Sequence, residues 1–152
     1  MSQENVEIVR RFFDAQNRVG EAYWKQPYSF AASFQAGTLP PEAEDLMSYV
    51  HPEIEWTPAF STKTYRGYHG ATEAWDEFLE AAGSYVNTVT ELIDAGADRV
   101  IAVVDSAFKG KGSGIEVSAR ICVTVTLRDG LVWRAHDYLD LQEALEAAGL
   151  SE

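Results

Sequence analysis

The chain has 152 residues, enough for one domain with a sizeable core. Hydrophobic residues are 46% and charged residues 24%, the mix of a soluble globular protein. Twelve basic against 24 acidic residues leave a formal net charge of −12, which argues against nucleic acid and anionic membrane surfaces as partners, since both want a basic footprint. The single cysteine, Cys122, rules out an intramolecular disulfide and reads as a small residue on a strand. The first residues, MSQENVEIVRRFF, lack the apolar core of a signal peptide, and no apolar run approaches the roughly 20 residues that span a bilayer. A cytoplasmic location is the expectation.

In chain order, residues 3–19 read as an amphipathic helix. Val6, Val9, Phe12, Phe13 and Val19 recur at helical spacing, with acids early and arginine late, as the helix dipole prefers. Residues 20–38 mix aromatics (Tyr23, Trp24, Tyr28, Phe30, Phe34) with Gly20, Pro27 and Gly37, and read as short helical pieces and loop. PPEAEDLMSYV predicts a helix with proline at its start and acids in its first turn, stopped by HPE. EIEWTP predicts a short strand with Ile54 and Trp56 on one face and Glu53, Glu55 and Thr57 on the other. A loop follows. ATEAWDEFLEAAG then predicts a helix closed by Gly83 as C′ residue.

From there the pattern is β: strands are expected at 86–94, 99–109, 114–128 and 131–139, with KGKGSG and RDG as turns, before a short terminal helix LQEALEAAGL. The strand at 115–127 alternates cleanly. Ile115, Val117, Ala119, Ile121, Val123, Val125 and Leu127 face one way, and Glu116, Ser118, Arg120, Cys122, Thr124 and Thr126 the other. One face meets the core and the other meets water or a partner. Helices first, then hairpin-connected strands with one helix inserted, make an α+β fold with helices on one face of an antiparallel sheet.

Four stretches together resemble the SnoaL-like branch of the nuclear transport factor 2-like superfamily: NVEIVRRFFDAQNR, YVHPEIEWTP, YRGYHGATEAWDEFLE, and ELIDAGADRVIAVV through TLRDGLVWRAHDYLDLQEALEAAGL. They cover nearly the whole chain, as a single domain over 1–152. The resemblance implies a cone: a curved antiparallel sheet wrapped around N-terminal helices, with a pocket at the wide end for a small hydrophobic molecule. It also implies a cofactor-free protein, commonly a homodimer through the outer sheet face. Residues 20–38 depart from the family as an aromatic-rich insertion. They fit either a lid over the pocket mouth or a cluster packed on the outer surface or against a second subunit.

Fold alone does not assign a reaction, because relatives include isomerases, cyclases, dehydratases, epoxide hydrolases and proteins without a known reaction. In ketosteroid isomerase an Asp is the base, and a Tyr and a protonated Asp hold the oxyanion. By position those roles would fall on Thr57, Phe12 and Val123, none of which can perform them. The last strand is the better lead. Trp133, Ala135, Asp137 and Leu139 share a mostly apolar face, which should turn inward with Val123, while Val132, Arg134, His136, Tyr138 and Asp140 turn outward. A carboxyl among apolar neighbours has its pKa raised towards the range of general acid–base work. Asp137 also matches the late-strand Asp of SnoaL-like cyclases. Glu55 is the second candidate: alone it reads as part of a solvated edge, but the resemblance turns its face, with Thr57, into the pocket, where two carboxylates could share a proton. Tyr23, Trp24 and Tyr28 could add an aromatic wall. His51, His69 and His136 are scattered and form no metal site. Two functions fit: a proton-transfer enzyme for a small hydrophobic or polycyclic molecule, with Asp137 and Glu55 as catalytic pair, or a non-catalytic small-molecule binder.

Overall fold

The structure is a computed structural model that describes residues 2–150. Five helices precede, interrupt and follow a six-stranded sheet. They are α1 (Ser2–Lys25), α2 (Phe30–Ala36), α3 (Pro41–Met47), α4 (Gly67–Ala81) and α5 (Leu141–Ala147). The strands are β1 (Val50–Thr57), β2 (Tyr65–Arg66), β3 (Ala82–Gly96), β4 (Arg99–Gly110), β5 (Glu116–Arg128) and β6 (Leu131–Tyr138), in the spatial order β2-β1-β6-β5-β4-β3. The fold is α+β, with the curved, open sheet of the cone architecture. The sheet is mixed rather than purely antiparallel: β1 runs parallel to β6, and the other four pairings are antiparallel.

The first helix runs six residues beyond its expected end at Val19. Gly20 does not stop it, because this glycine answers a packing demand: a Cβ there would lie 2.9 Å from the Tyr85 ring. The period continues through Gly20 to Tyr23, and Phe12, Phe13, Gln16, Val19 and Tyr23 are all buried. Of the aromatic insertion, residues 20–25 extend α1, and the rest forms a loop, α2 and the turn after it. Asp76 of α4 holds α2 in place. Its carboxylate accepts from the backbone N–H of Phe30 at 2.7 Å and of Ala31 at 3.1 Å, and from Ser29 Oγ at 2.8 Å. Negative charge at a helix N-terminus satisfies donors that have no intrahelical partner. Phe30 is fully buried and stacks on Trp75 at 6.2 Å.

Other boundaries moved for local reasons. The helix expected to reach Val50 ends at Met47, and His51, Pro52 and Glu53 join β1 instead of stopping a helix. Pro52 is tolerated because the β1–β6 register shifts between Val50 and Glu55, where a missing N–H costs no ladder bond. Gly83 is not a left-handed cap. The chain passes straight from α4 into extended backbone at Ala82, and Gly83 lies in β3 under the Trp24 ring, where a Cβ would come within 3.1 Å.

The two sheet faces are both partly covered. The concave face packs on α1, α3 and α4 with Val100, Ala102, Val104, Val125 and Val132. On the convex face α5 covers Ile101, Val103 and Cys122 with Ala144 and Ala148. Cys122 is therefore buried under a helix, not facing water or a partner, and burial pushes its thiol pKa up. At the far end of β5 the pattern loses its cover: Ile115 and Val117 are exposed although they share the core-facing side.

Candidate functional site

The position of the site follows from a bulge in β6. Thr126 of β5 pairs with Arg134, and the next residue, Leu127, pairs with Val132, which leaves Trp133 without a partner. Alternation therefore breaks at Trp133, which was expected to face inward. Its ring lies instead between the guanidinium groups of Arg134 at 4.1 Å and Arg128 at 5.0 Å. Val132 takes the inward place. Beyond the bulge the period resumes, so Ala135, Asp137 and Leu139 face the concave side, while His136 stacks on Tyr138 at 4.3 Å on the convex side.

The concave side holds a cavity of about 290 Å³. Val123, Ala135, Asp137 and Leu139 line it, with Ile54 and Trp56 of β1. Aromatic rings form one wall as a chain of edge and tilted contacts: Phe60 on Trp56 at 5.9 Å, Trp56 on Trp75 at 5.6 Å, Trp75 on Phe78 at 5.7 Å. Phe60 and Leu139, both exposed, mark where the cavity opens.

Among the described residues, Asp137 is the only titratable one that lines the cavity. Trp56 Nε1 donates to its Oδ1 at 3.4 Å, and the Ala59 backbone N–H donates to its Oδ2 at 3.1 Å. The second contact depends on Pro58. That buried proline ends β1 and opens a turn closed by Ser61 N–H to Pro58 C=O at 3.3 Å, which aims the Ala59 amide at the carboxyl. Among the described residues no cation pairs with Asp137. Burial, opposed in part by the two hydrogen bonds, raises its pKa from 3.8 to about 6. Near neutral pH the group can both take and give a proton.

The other expected site residues lie elsewhere. Glu55 is on the convex face. Its two oxygens lie 3.8 Å from Arg66 Nε and 3.8 Å from Arg134 Nε, and the residue is partly exposed. Thr57 shares that face and hydrogen-bonds Thr64 at 2.8 Å. The face expected to line the pocket is thus the outer one. The reason is elementary: Ile54 and Trp56 are the apolar half of β1, and they take the inside. Glu55 and Asp137 do not converge. Tyr23 and Tyr28 pack on each other at 5.7 Å and do not line the cavity, and Trp24 is 60% exposed against Gly83. α2 of the insertion packs on α4, and none of residues 20–38 is among those that line the cavity. Burial pushes the Tyr28 phenol up to about 12. His51 accepts from Glu53 N–H, and His69 faces Glu73 at 3.3 Å. Among the described residues no three metal-ligating side chains gather.

A family model for the SnoaL-like domain matches residues 29–135. The chain belongs to the SnoaL-like domain family. Among solved structures, it is similar to a protein from Jannaschia sp. CCS1 described as a SnoaL-like polyketide cyclase, at 18% identity with a TM-score of 0.67, over 100% of this chain and 96% of that one. An LEH-like epoxide hydrolase from M. tuberculosis superposes with a TM-score of 0.63 at 13% identity, over 98% and 90% of the two chains. TerC, co-crystallized with polyporic acid, shares 22% identity with a TM-score of 0.57, over 80% and 93%. At such identities these likenesses establish the fold. No curated protein matches in sequence. No helix of the described residues is long and apolar enough to cross a membrane.

Residue order alone did not single out Trp56, Ala59, Gln16, Asn87 or Ser106, which all line the cavity. Gln16 carried a readable signal. It is a polar residue on the buried stripe of α1, in line with Phe12, Phe13 and Val19.

Proposed function

We propose that this protein is a proton-transfer enzyme of the SnoaL-like type, acting on a small hydrophobic or polycyclic molecule with Asp137 as general acid–base. One observation carries the reading: a carboxyl aimed into an apolar cavity with no cation beside it. In its ionised form Asp137 takes a proton from a carbon next to a carbonyl and leaves an enolate. The neutral acid then returns the proton, to the same carbon or to another, which gives exchange or isomerisation. If the enolate carbon attacks a second carbonyl first, the result is a ring closure, and the acid protonates the new alkoxide. Trp56 Nε1–H and Ala59 N–H hold the carboxyl in one orientation throughout, and the aromatic wall keeps water away from the reacting carbon.

The same reading includes a homodimer through the convex face around His136, tested by sedimentation. Binding without turnover is the second reading. It is favoured by Asp137 standing alone, since the expected helper Glu55 is on the other face.

The test uses 2-tetralone, a bicyclic ketone with exchangeable α-protons, and follows deuterium uptake from D2O by NMR. Catalysed exchange in the wild type, reduced about 100-fold or more in Asp137→Asn, is the expected result, in the range that general bases contribute. Equal exchange rates in the two proteins, with 2-tetralone bound by both, would leave the binding reading standing instead.

A further inference from the structure

The cavity holds a second polar feature across from Asp137. Gln16 of α1, Asn87 of β3 and Ser106 of β4 all line it, and Gln16 and Ser106 are 7% and 6% exposed. Asn87 and Ser106 are directly opposed across the β3–β4 ladder, so their side chains share the concave face. Asn87 is fixed from behind. Its N–H donates to Asn17 Oδ1 at 2.8 Å, and its carbonyl accepts from Asn17 Nδ2 at 2.7 Å. Asn87 Nδ2 donates to Gln16 Oε1 at 3.1 Å. That bond leaves the Gln16 amide N–H groups, Asn87 Oδ1 and the Ser106 hydroxyl, and among the described residues no protein group takes them up. They are not sealed in the interior but open to the cavity, where a ligand can take them up.

We infer that Gln16, Asn87 and Ser106 form an anchor for an uncharged oxygen function, a carbonyl or hydroxyl, at the end of the ligand remote from Asp137. This rests on the cavity being the binding site of the proposed function. The available set offers donors and an acceptor with no formal charge, which suits a neutral group. A ligand carboxylate there would be desolvated without a cation, in a chain of net charge −12.

The topology also gives the ligand a length. Asp137 pairs with Val123, and Ser106 pairs with Ala119 on the other side of β5, four residues along. Two strand spacings are roughly 10 Å and four residues roughly 13 Å. No small functional group touches both places. The ligand is therefore extended, with the anchored oxygen at one end and the carbon on which Asp137 acts at the other.

A matched pair of probes tests this: 2-naphthol and 2-methylnaphthalene, which differ by hydroxyl against methyl, titrated by calorimetry at neutral pH. The wild type is expected to bind 2-naphthol about tenfold more tightly, a typical consequence of one hydrogen bond to a buried polar group. In Ser106→Ala the preference should fall to threefold or less, and in Gln16→Leu likewise, with 2-methylnaphthalene bound within twofold of wild type. That second probe doubles as the check that the cavity is intact. Preference retained in both variants overturns the inference, as does wild type showing no preference or binding neither probe. Asp137→Asn should keep the preference; if it loses it, the oxygen sits at Asp137 and the anchor is refuted. Failure of 2-tetralone exchange to depend on Asp137 would instead refute the proton-transfer reading, and leaves these binding results unaffected.

Discussion

Two carboxylates on neighbouring strands, Asp137 on β6 and Glu55 on β1, differ in everything except their chemistry. Glu55 sits on the convex face between two arginines, in contact with solvent. Asp137 sits on the concave face among tryptophan and phenylalanine rings, with two hydrogen bonds and no cation. Solvated charge pairs of the first kind contribute little to stability and leave the group ordinary. An unpaired carboxyl of the second kind is costly as an anion, and burial raises its pKa to about 6. The lesson is that the face of the sheet, more than the residue type, decides which acid is available for chemistry.

The largest expected contrast is in turnover. Asp137→Asn should lower 2-tetralone exchange by about 100-fold or more, whereas Glu55→Gln should leave it within about twofold. Equal losses in the two variants would break the distinction between the faces.

The next contrast is in stability against pH. The folded protein keeps a proton on Asp137 up to about pH 6, while the unfolded chain releases it near 3.8. The stabilising effect of that bound proton is complete below about pH 4 and is lost as pH rises through 6. Across that window wild type should lose up to about 3 kcal/mol relative to Asp137→Asn, measured by urea unfolding at several pH values. A flat difference would mean that the carboxyl is solvated in the folded state.

A smaller effect concerns the tryptophan that positions it. Trp56→Phe keeps the aromatic wall but removes the Nε1–H donor to Oδ1. At 3.4 Å that hydrogen bond is long, so the anion should lose about 1 kcal/mol of support. The midpoint of the exchange rate should then move up by about one pH unit. A downward movement would show that Trp56 acts against the charged form.

Smallest is the convex ion cluster. Glu55→Gln should change stability by less than about 1 kcal/mol, and that difference should shrink further in high salt. A large, salt-independent loss would mean that the cluster is desolvated within the subunit itself.

Much of this arrangement was legible in the residues. The alternation of β5 and the helical stripe of α1 are period signals strong enough to give the fold class, and the apolar company of Ala135 and Leu139 points Asp137 inward. What was not legible depends on partners distant in sequence. Gly20 reads as a stop until Tyr85, 65 positions later, is seen to need its missing Cβ. The bulge at Trp133 is a relation between two strands, and one strand's pattern does not reveal it. Glu55 is a different kind of miss. The apolar pair Ile54 and Trp56 marks the inward face of β1, against the placement that the family resemblance implies for Glu55 and Thr57. Asn87 and Ser106 look like ordinary strand residues until their pairing brings them face to face in the cavity.

The carboxyl of Asp137 can be observed directly. A 13C NMR titration of the wild-type side-chain carboxyls, with the Asp137 signal assigned by its absence in Asp137→Asn, should give a midpoint near pH 6. A midpoint near 4 would mean a solvated, ordinary aspartate, and the proton-transfer role assigned to it would fall.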